Sequence, residues 1–192
     1  MKAHSIPFSV WISLAFWITL GGLRLLEAWQ DTHVIPVLLA AQSGLLAWFL
    51  VTRSQQAVEV CWKQKIIAWF SALLPLALRI DHESLLGQLS TGLGLLIVLW
   101  AMGTLGRSFG IAPADRGLVK EGPYRCLRHP MYLGELVSLT GAMIYNLSTR
   151  NAILIVVLLL SMLYRIHWEE LAINSYRSYA NRVRWRLIPG VW

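Results

Sequence analysis

Polar residues at the end of a loop could bind an anion beside an apolar helix. Residues 106–134 include five glycines and three prolines, a composition typical of a structured loop. Pro130 suits the first turn of a helix, so Arg128 and His129 are predicted at that helix's N-terminus. Free N–H groups and the helix dipole favour a negative group there, such as a carboxylate. Gly134, one turn further on, has no side chain and would admit a flat ligand or another helix.

A second polar cluster contains Arg165, Glu169 and Glu170. Because Arg165 and Glu169 are four residues apart, they share one helix face. The apolar segments 131–147 and 151–164 precede this cluster, and their three-residue connection favours an antiparallel helical hairpin. In such a hairpin the two polar clusters meet on the same side of the membrane. The sequence therefore predicts a polar pocket beside lipid that contains charges of both signs.

The composition of the chain excludes most classes of soluble protein. Of its 192 residues, 56% are hydrophobic and 14% are charged, whereas a soluble domain is roughly a quarter charged. Two cysteines are too few for a disulfide scaffold or a thiolate zinc site. His167 has no second His or Cys at ligand spacing, so we expect no metal site.

Apolar segments divide the chain into candidate membrane helices. A span needs about 20 apolar residues to cross roughly 30 Å of hydrocarbon. The segments are residues 6–23, 33–52, 66–78 (with a kink expected at Pro75), 85–105, 131–147 and 151–164. We predict an all-α polytopic bundle with five to six transmembrane helices, a C-terminal helical hairpin and an amphipathic tail. Residues 1–105 are expected to anchor the protein, and residues 106–192 to carry its chemistry.

The distribution of basic residues predicts the orientation of this bundle. With six crossings, 14 Lys and Arg residues lie on the side of the two termini and three lie on the other side. The positive-inside rule then places both termini and the polar pocket in the cytoplasm, at the inner membrane if the cell is bacterial. The net charge of +7 is therefore ascribed to topology, and we expect membrane lipids rather than nucleic acid as partners.

At these residues the sequence resembles the isoprenylcysteine carboxyl methyltransferases, membrane enzymes that are distantly similar to phospholipid N-methyltransferases. The resemblance covers roughly residues 105–192. Its motifs are Arg116-Gly117-Leu118-Val119, Gly122-Pro123-Tyr124, Arg128-His129-Pro130-Met131-Tyr132-Leu133-Gly134, Arg165-x-x-x-Glu169-Glu170, Tyr176-x-x-Tyr179 and Ile188-Pro189. The segment between Glu170 and Tyr176 has five residues where family members usually have about ten.

The resemblance implies S-adenosylmethionine as the cofactor and an acceptor that faces Arg165. Glu169 could accept hydrogen bonds from the cofactor's amino or ribose hydroxyl groups, and His129 could hold its carboxylate. Tyr124 and Tyr132 could pack on adenine and attract the sulfonium. With Gly134 added for close approach, the predicted cofactor contacts are Arg116, Gly117, Leu118, Val119, Tyr124, His129, Pro130, Met131, Tyr132, Gly134 and Glu169.

Methyl transfer from a sulfonium is an in-line displacement that requires no metal, and it needs the nucleophile about 3–3.5 Å from the methyl. A carboxylate acceptor is already ionised at neutral pH and needs only a cation that orients it. Arg165 and Arg128 fit that catalytic role through bidentate pairing. An amine or phenol would need a base, and the candidates are His129, Glu135, His167, Glu169 and Glu170. The lipophilic or lipidated acceptor would enter from the bilayer, and the cofactor from the cytoplasm.

Three alternatives remain open at the level of sequence. Glu135 after Gly134 resembles a stretch of membrane sterol reductases, which would imply NADPH as the cofactor. A phospholipid N-methyltransferase or a non-catalytic lipid-binding protein would also fit. In the simplest interpretations, Arg165 and Glu169 form a plain ion pair, and Glu135 pairs with an arginine inside the membrane.

Overall fold

The computed structural model describes residues 8–31, 34–52, 61–79, 81, 84–112, 115–144, 146–173 and 176–192. Its α-helices are α1 (Phe8–Asp31), α2 (Val34–Thr52), α3 (Trp62–Leu73), α4 (Leu85–Leu105), α5 (Pro130–Met143), α6 (Thr149–Ala172) and α7 (Tyr176–Ala180). Short 3-10 turns cover Leu74–Ala77, Gly106–Ser108 and Gly122–Arg125. The all-helical fold class predicted from the sequence is confirmed, although the predicted starts at residues 6 and 33 lie outside the described residues.

Four of the described helices, α1, α2, α4 and α6, are long and apolar enough to cross a membrane. At 1.5 Å per residue, α3 and α5 are each shorter than the roughly 30 Å of a hydrocarbon core. The last apolar segment of the sequence ends at residue 164. In the structure α6 continues to Ala172, so Arg165, Glu169 and Glu170 all lie on one continuous helix.

The two short helices run antiparallel to long neighbours. The hydroxyl of Ser161 in α6 donates to that of Ser71 in α3 (3.0 Å). Further along, Arg150 at the start of α6 donates to the carbonyl of Ala77 (2.8 Å). Pro75 has no N–H to donate, and the α3 segment finishes as a 3-10 turn at the expected position. The α3 segment therefore runs antiparallel to α6, as α5 does to α4.

Helices α4 and α5 pack with almost no side chain between them. A Cβ built on Gly134 of α5 would lie 2.7 Å from the carbonyl oxygen of Gly94 in α4, and one built on Gly141 would lie 2.7 Å from that of Gly87. Thr91 donates across the interface to the carbonyl of Ser138 (3.2 Å). This contact fixes where α5 begins, and so it fixes the position of the residues at its N-terminus.

The C-terminal tail, residues 176–192, folds back on the start of α5. Leu127 and Trp185 form an isolated parallel β-bridge, and the N–H of His129 donates to the carbonyl of Arg186 (2.9 Å). The tail is therefore packed against the bundle. It forms one side of the polar region described next.

Candidate functional site

A cleft opens between the loop after α4, the start of α5, the end of α6 and the tail. It contains about 760 Å³ that no atom fills, including its open mouth. Its walls include Phe109, Gly110, Arg116, Gly117, Leu118, Val119, Tyr124, Arg128, His129, Met131, Tyr132, Glu169, Ile173, Tyr176 and Tyr179. All of the predicted cofactor contacts except Pro130 and Gly134 lie in these walls.

Glu169 joins α6 to α5 inside the cleft. The Tyr132 hydroxyl donates to Oε1 of Glu169 (2.5 Å), and Nδ1 of His129 lies 3.8 Å from Oε2. Tyr132 is only 1% exposed, whereas about a quarter of the Glu169 side chain is exposed. The carboxylate therefore keeps capacity to accept further hydrogen bonds from a molecule in the cleft. Convergence of the two polar clusters, the central expectation from the hairpin, is met.

A second carboxylate, Glu170, contacts residues of the tail and does not line the cleft. It accepts from the Tyr176 hydroxyl (2.7 Å) and from Arg186 (2.6 Å). Nε2 of His129 lies 3.1 Å from the same carboxylate, so the imidazole stands between Glu169 and Glu170. No local pattern pairs Arg186 with Glu170, because the two residues are sixteen apart and lie on different elements.

Three tyrosines form aromatic walls of the cleft. Burial, followed by the nearby Glu169 carboxylate, raises the pKa of Tyr124 well above its usual range. Burial and the hydrogen bond to Glu170 likewise raise the pKa of Tyr176, and burial raises that of Tyr179 to about 12. All three phenols are neutral at physiological pH, so they can donate hydrogen bonds and present aromatic faces.

The loop that carries the Arg116 motif is held by its own hydrogen bonds. Gly117 has a φ of +95°, a conformation that favours glycine. Its N–H donates to the Asp115 carboxylate (3.1 Å), and Ser108 donates to the carbonyl of Arg116 (3.1 Å). The Arg116 guanidinium fills the space beside Gly110, where any Cβ would collide with it. The backbone of this loop is therefore preset beside the cleft.

Arg165 faces a second cavity, not the cleft. It is 5% exposed, and its guanidinium lies 5.0 Å from the centre of the Tyr132 ring. Within the described part of the chain, its Nε has no hydrogen-bond partner. The second cavity encloses about 900 Å³ between the helices and is mostly apolar. Its polar lining residues are Gln42, Ser71, Glu135, Ser138 and Arg165.

The cleft and the second cavity share two lining residues, Phe109 and Met131. Both side chains are buried, so the cleft and the second cavity, the chamber, adjoin at two apolar side chains. Such a pair of compartments suits two ligands of different polarity that must meet at one point.

Three predicted site residues make other contacts in the structure. Gly134 contacts α4 and Pro130 is buried at the helix start, so neither reaches the cleft. Arg128 lies at the cleft, but its guanidinium donates to the carbonyls of Val183 (2.7 Å) and Ala180 (2.8 Å). This arginine fastens the tail, and pairing with an acceptor carboxylate stays a prediction.

The two simple ion pairs considered for α5 and α6 are not formed at contact distance among the described residues. Glu169 turns toward Tyr132 and His129 instead of Arg165. Glu135 lines the second cavity with Arg165. The two side chains therefore line the same chamber without forming an ion pair at contact distance.

Comparison of the sequence with known proteins gives a family match. No curated protein matches the chain. The sequence profile of the phospholipid methyltransferase family matches residues 83–180, which is just over half of the 192 residues. The matched region contains α4, the loop, α5, α6 and the first part of the tail, and these are the elements that form the cleft. It supports a membrane methyltransferase and does not single out the isoprenylcysteine type. The chain belongs to the phospholipid methyltransferase family.

Proposed function

We propose that the protein transfers a methyl group from S-adenosylmethionine to a lipophilic acceptor that enters from the bilayer. The observation that carries this proposal is the pair of compartments that meet at Phe109 and Met131. A cleft with a partly exposed carboxylate suits a water-soluble nucleoside cofactor, and a chamber that lies among the membrane helices suits a lipid.

The residues of the cleft fit the cofactor's chemistry. Glu169 has lone pairs left to accept from an amino group or ribose hydroxyls. The first turn of α5 offers backbone N–H groups, and His129 beside it can hold a carboxylate. Tyr124 and Tyr132 provide aromatic faces for adenine and for a cation. When bound, the cofactor supplies an electrophilic methyl on its sulfonium, and the protein has to orient it toward the wall.

The unpartnered Nε of Arg165 favours a carboxylate acceptor. A buried guanidinium that lacks a full set of acceptors gains most from a planar, bidentate anion. A carboxylate is ionised at neutral pH and needs no general base. Carboxyl O-methylation of an isoprenylcysteine-like or other lipidic carboxylate is therefore the first candidate reaction, with Arg165 orienting the acceptor oxygen.

Phospholipid N-methylation is the second candidate. Glu135 and Gln42 line the same chamber and could accept hydrogen bonds from an amine, and Glu135 could take up its proton. The family match favours methyl transfer over the hydride transfer of the NADPH-dependent alternative.

Calorimetry in detergent with S-adenosylhomocysteine, the demethylated cofactor, tests the proposal. We expect binding to the intact protein, and Glu169→Gln to weaken it at least about tenfold, because a charge-assisted hydrogen bond contributes roughly 1.5–3 kcal/mol. Glu121→Gln is the control, since this exposed carboxylate does not line the cleft. Folded protein that binds NADPH but not S-adenosylhomocysteine would contradict the proposal.

The two acceptors can be separated by mass spectrometry of methylated products. Vesicles containing phosphatidylethanolamine are compared with vesicles containing a prenylated cysteine. Arg165→Gln should abolish methylation of the carboxylate, and Glu135→Gln should abolish methylation of the amine. If one variant loses both activities while its cofactor binding stays intact, the substituted residue is needed to position either acceptor.

A further inference from the structure

We propose that Glu170 is a positioning residue that fastens the C-terminal tail over the cofactor cleft, so that cofactor binding requires the fastened tail. The inference rests on the proposed function, since it concerns affinity for the cofactor in that cleft. Glu170 and Arg186 do not line the cleft themselves. Whatever they contribute to binding is exerted through the residues that they hold.

Four side chains form the fastening, which we call the latch: His129, Glu170, Tyr176 and Arg186. Glu170 is the acceptor at its centre, with the Tyr176 hydroxyl at 2.7 Å and Arg186 at 2.6 Å. The Tyr176 hydroxyl also lies 3.2 Å from Nε2 of His129. The latch thus ties the beginning of the tail and a point near its end to one carboxylate.

The Glu170 carboxylate is well placed to make this connection strong. Only 12% of its side chain is exposed, against 37% for Arg186. Hydrogen bonds in which both partners are charged are shorter and stronger than neutral ones. A largely buried carboxylate that lost Arg186 would keep its desolvation cost without its cation, which disfavours the open tail.

The tail forms part of the cleft, so its position matters for a ligand there. Tyr176 and Tyr179 both line the cleft, and the Tyr179 hydroxyl donates to the carbonyl of Tyr124 on the opposite wall (2.7 Å). If the tail moved away, two aromatic walls would leave with it. The loop after α4, the start of α5 and the end of α6 would remain as the lining of the cleft.

His129 couples the latch to the cleft. Its Nε2 faces Glu170 at 3.1 Å, and its Nδ1 faces Glu169 at 3.8 Å. An imidazole has one fixed geometry, so losing the partner on one nitrogen frees the ring that also faces the other carboxylate. The state of the tail is thereby transmitted to Glu169, the carboxylate predicted to contact the cofactor.

Mass action converts this geometry into an expected effect. If the cofactor binds only to the fastened form, the apparent affinity falls in proportion to the fraction of molecules that are fastened. A latch variant that is fastened one tenth of the time would bind about tenfold more weakly. Its fully bound state would otherwise resemble that of the unmodified protein.

Calorimetry with S-adenosylhomocysteine on the full chain in detergent tests the latch. We expect Glu170→Gln and Arg186→Gln each to weaken binding about tenfold or more, and Arg186→Lys to restore part of the affinity. Arg184→Gln is the matched control. Arg184 lies on the same tail and stacks on Trp185 (4.8 Å), as Arg186 stacks on Trp192 (5.2 Å), but it does not contact Glu170.

Two outcomes would overturn the proposal. Affinities of Glu170→Gln and Arg186→Gln within twofold of the unmodified protein would do so, even if their melting temperatures fell, because the role would then be merely structural. Equal affinity of Arg186→Lys and Arg186→Gln would show that the charge of residue 186 is not what holds the tail.

Trypsin cleavage of the tail is a second readout, and its comparison of Glu170→Gln with the unmodified protein needs no cofactor. The tail presents exposed arginines at 177, 182 and 184, and Glu170→Gln changes none of them. We expect faster cleavage of the tail in this variant, and slower cleavage of the unmodified protein when S-adenosylhomocysteine is present. If the unmodified protein fails to bind that ligand, the proposed function fails, while equal cleavage rates in the two proteins would reject the latch itself.

Discussion

Arg165 and Glu169 lie one helical turn apart on α6 yet face different compartments. Glu169 lines the cleft and accepts from the Tyr132 hydroxyl, whereas Arg165 lines the chamber and lies over the ring of the same tyrosine. Tyr132 thus stands between the residue predicted to contact the cofactor and the residue predicted to orient the acceptor. Cofactor binding and orientation of the acceptor can therefore be tested by separate single substitutions.

Arg165→Gln should lower the rate of methyl transfer and leave cofactor binding nearly unchanged. The guanidinium is expected to align the acceptor, and misplacement of a reacting atom by about 1 Å can cost on the order of a hundredfold in rate. Methylation assays at saturating cofactor measure the rate, and calorimetry with S-adenosylhomocysteine measures the affinity. A large drop in affinity with an unchanged rate would reverse the assignment of the two compartments.

Among the elements, the α4–α5 pair determines where the cleft forms. Glycines on both helices bring the two backbones together, and the second of these helices begins at the residues that enter the cleft. A widened α4–α5 contact would shift His129 and Tyr132 relative to Glu169. Helix packing and site geometry are therefore coupled in this protein.

Gly94→Ala should destabilise the protein, because its Cβ would lie 2.5 Å from the carbonyl oxygen of Gly134 and 2.7 Å from the Cα of Ser138. Backbone atoms cannot move aside cheaply, and overpacking typically costs about 1–3 kcal/mol. Thermal unfolding in detergent measures the effect.

Gly103→Ala on the same helix is the control. Nothing lies within 4 Å of its added Cβ, and alanine is the better helix former by about 1 kcal/mol. We expect an unchanged or slightly raised melting temperature. Equal losses in Gly94→Ala and Gly103→Ala would contradict close packing of α4 and α5.

On the scale of the whole molecule, the packing of α4, α5 and α6 brings the polar loop, the end of α6 and the tail together around the cleft. The loop between α5 and α6 lies at the other end, where Asn151 donates to the carbonyls of Arg79 (2.8 Å) and Asn146 (2.7 Å). The asymmetry of basic residues predicts that the end with the cleft is cytoplasmic.

Labelling of cysteines with a membrane-impermeant maleimide tests this orientation. Cys61 and Cys126 are both exposed, and both belong to loops predicted on the cytoplasmic side. We expect them to react in inside-out vesicles and not in intact cells. Leu147→Cys, an exposed position in a background with both native cysteines replaced by serine, should react in intact cells. The opposite pattern would invert the topology.

Much of the fold could be predicted from the sequence, because the signals are local. Apolar runs of about 20 residues can only be helices in a bilayer, and the short connection before Asn151 makes the last two helices a hairpin. That hairpin was enough to predict that His129 and Glu169 meet. The exact ends were less accessible, since α6 continues through charged residues that a hydropathy pattern treats as a boundary.

The candidate site was predicted in outline and not in its connections. Motif residues of the loop, α5 and α6 line the cleft as expected, but Gly134 serves helix packing, and Arg128 holds backbone carbonyls of the tail. The link from Glu170 to Arg186 carries no local signal, because it joins an α6 carboxylate to a tail arginine whose partner depends on how residues 176–192 fold back.

By itself the sequence determined that the chain belongs in a bilayer, where its helices lie and which residue types are available for chemistry. Hydrophobicity and helical spacing are properties of neighbouring residues. Only the tertiary structure decided that Arg165 and Glu169 serve separate compartments, and that one imidazole joins two carboxylates. Each of those facts depends on which side chains from distant parts of the chain occupy the same space, and that is set by packing of whole helices against one another.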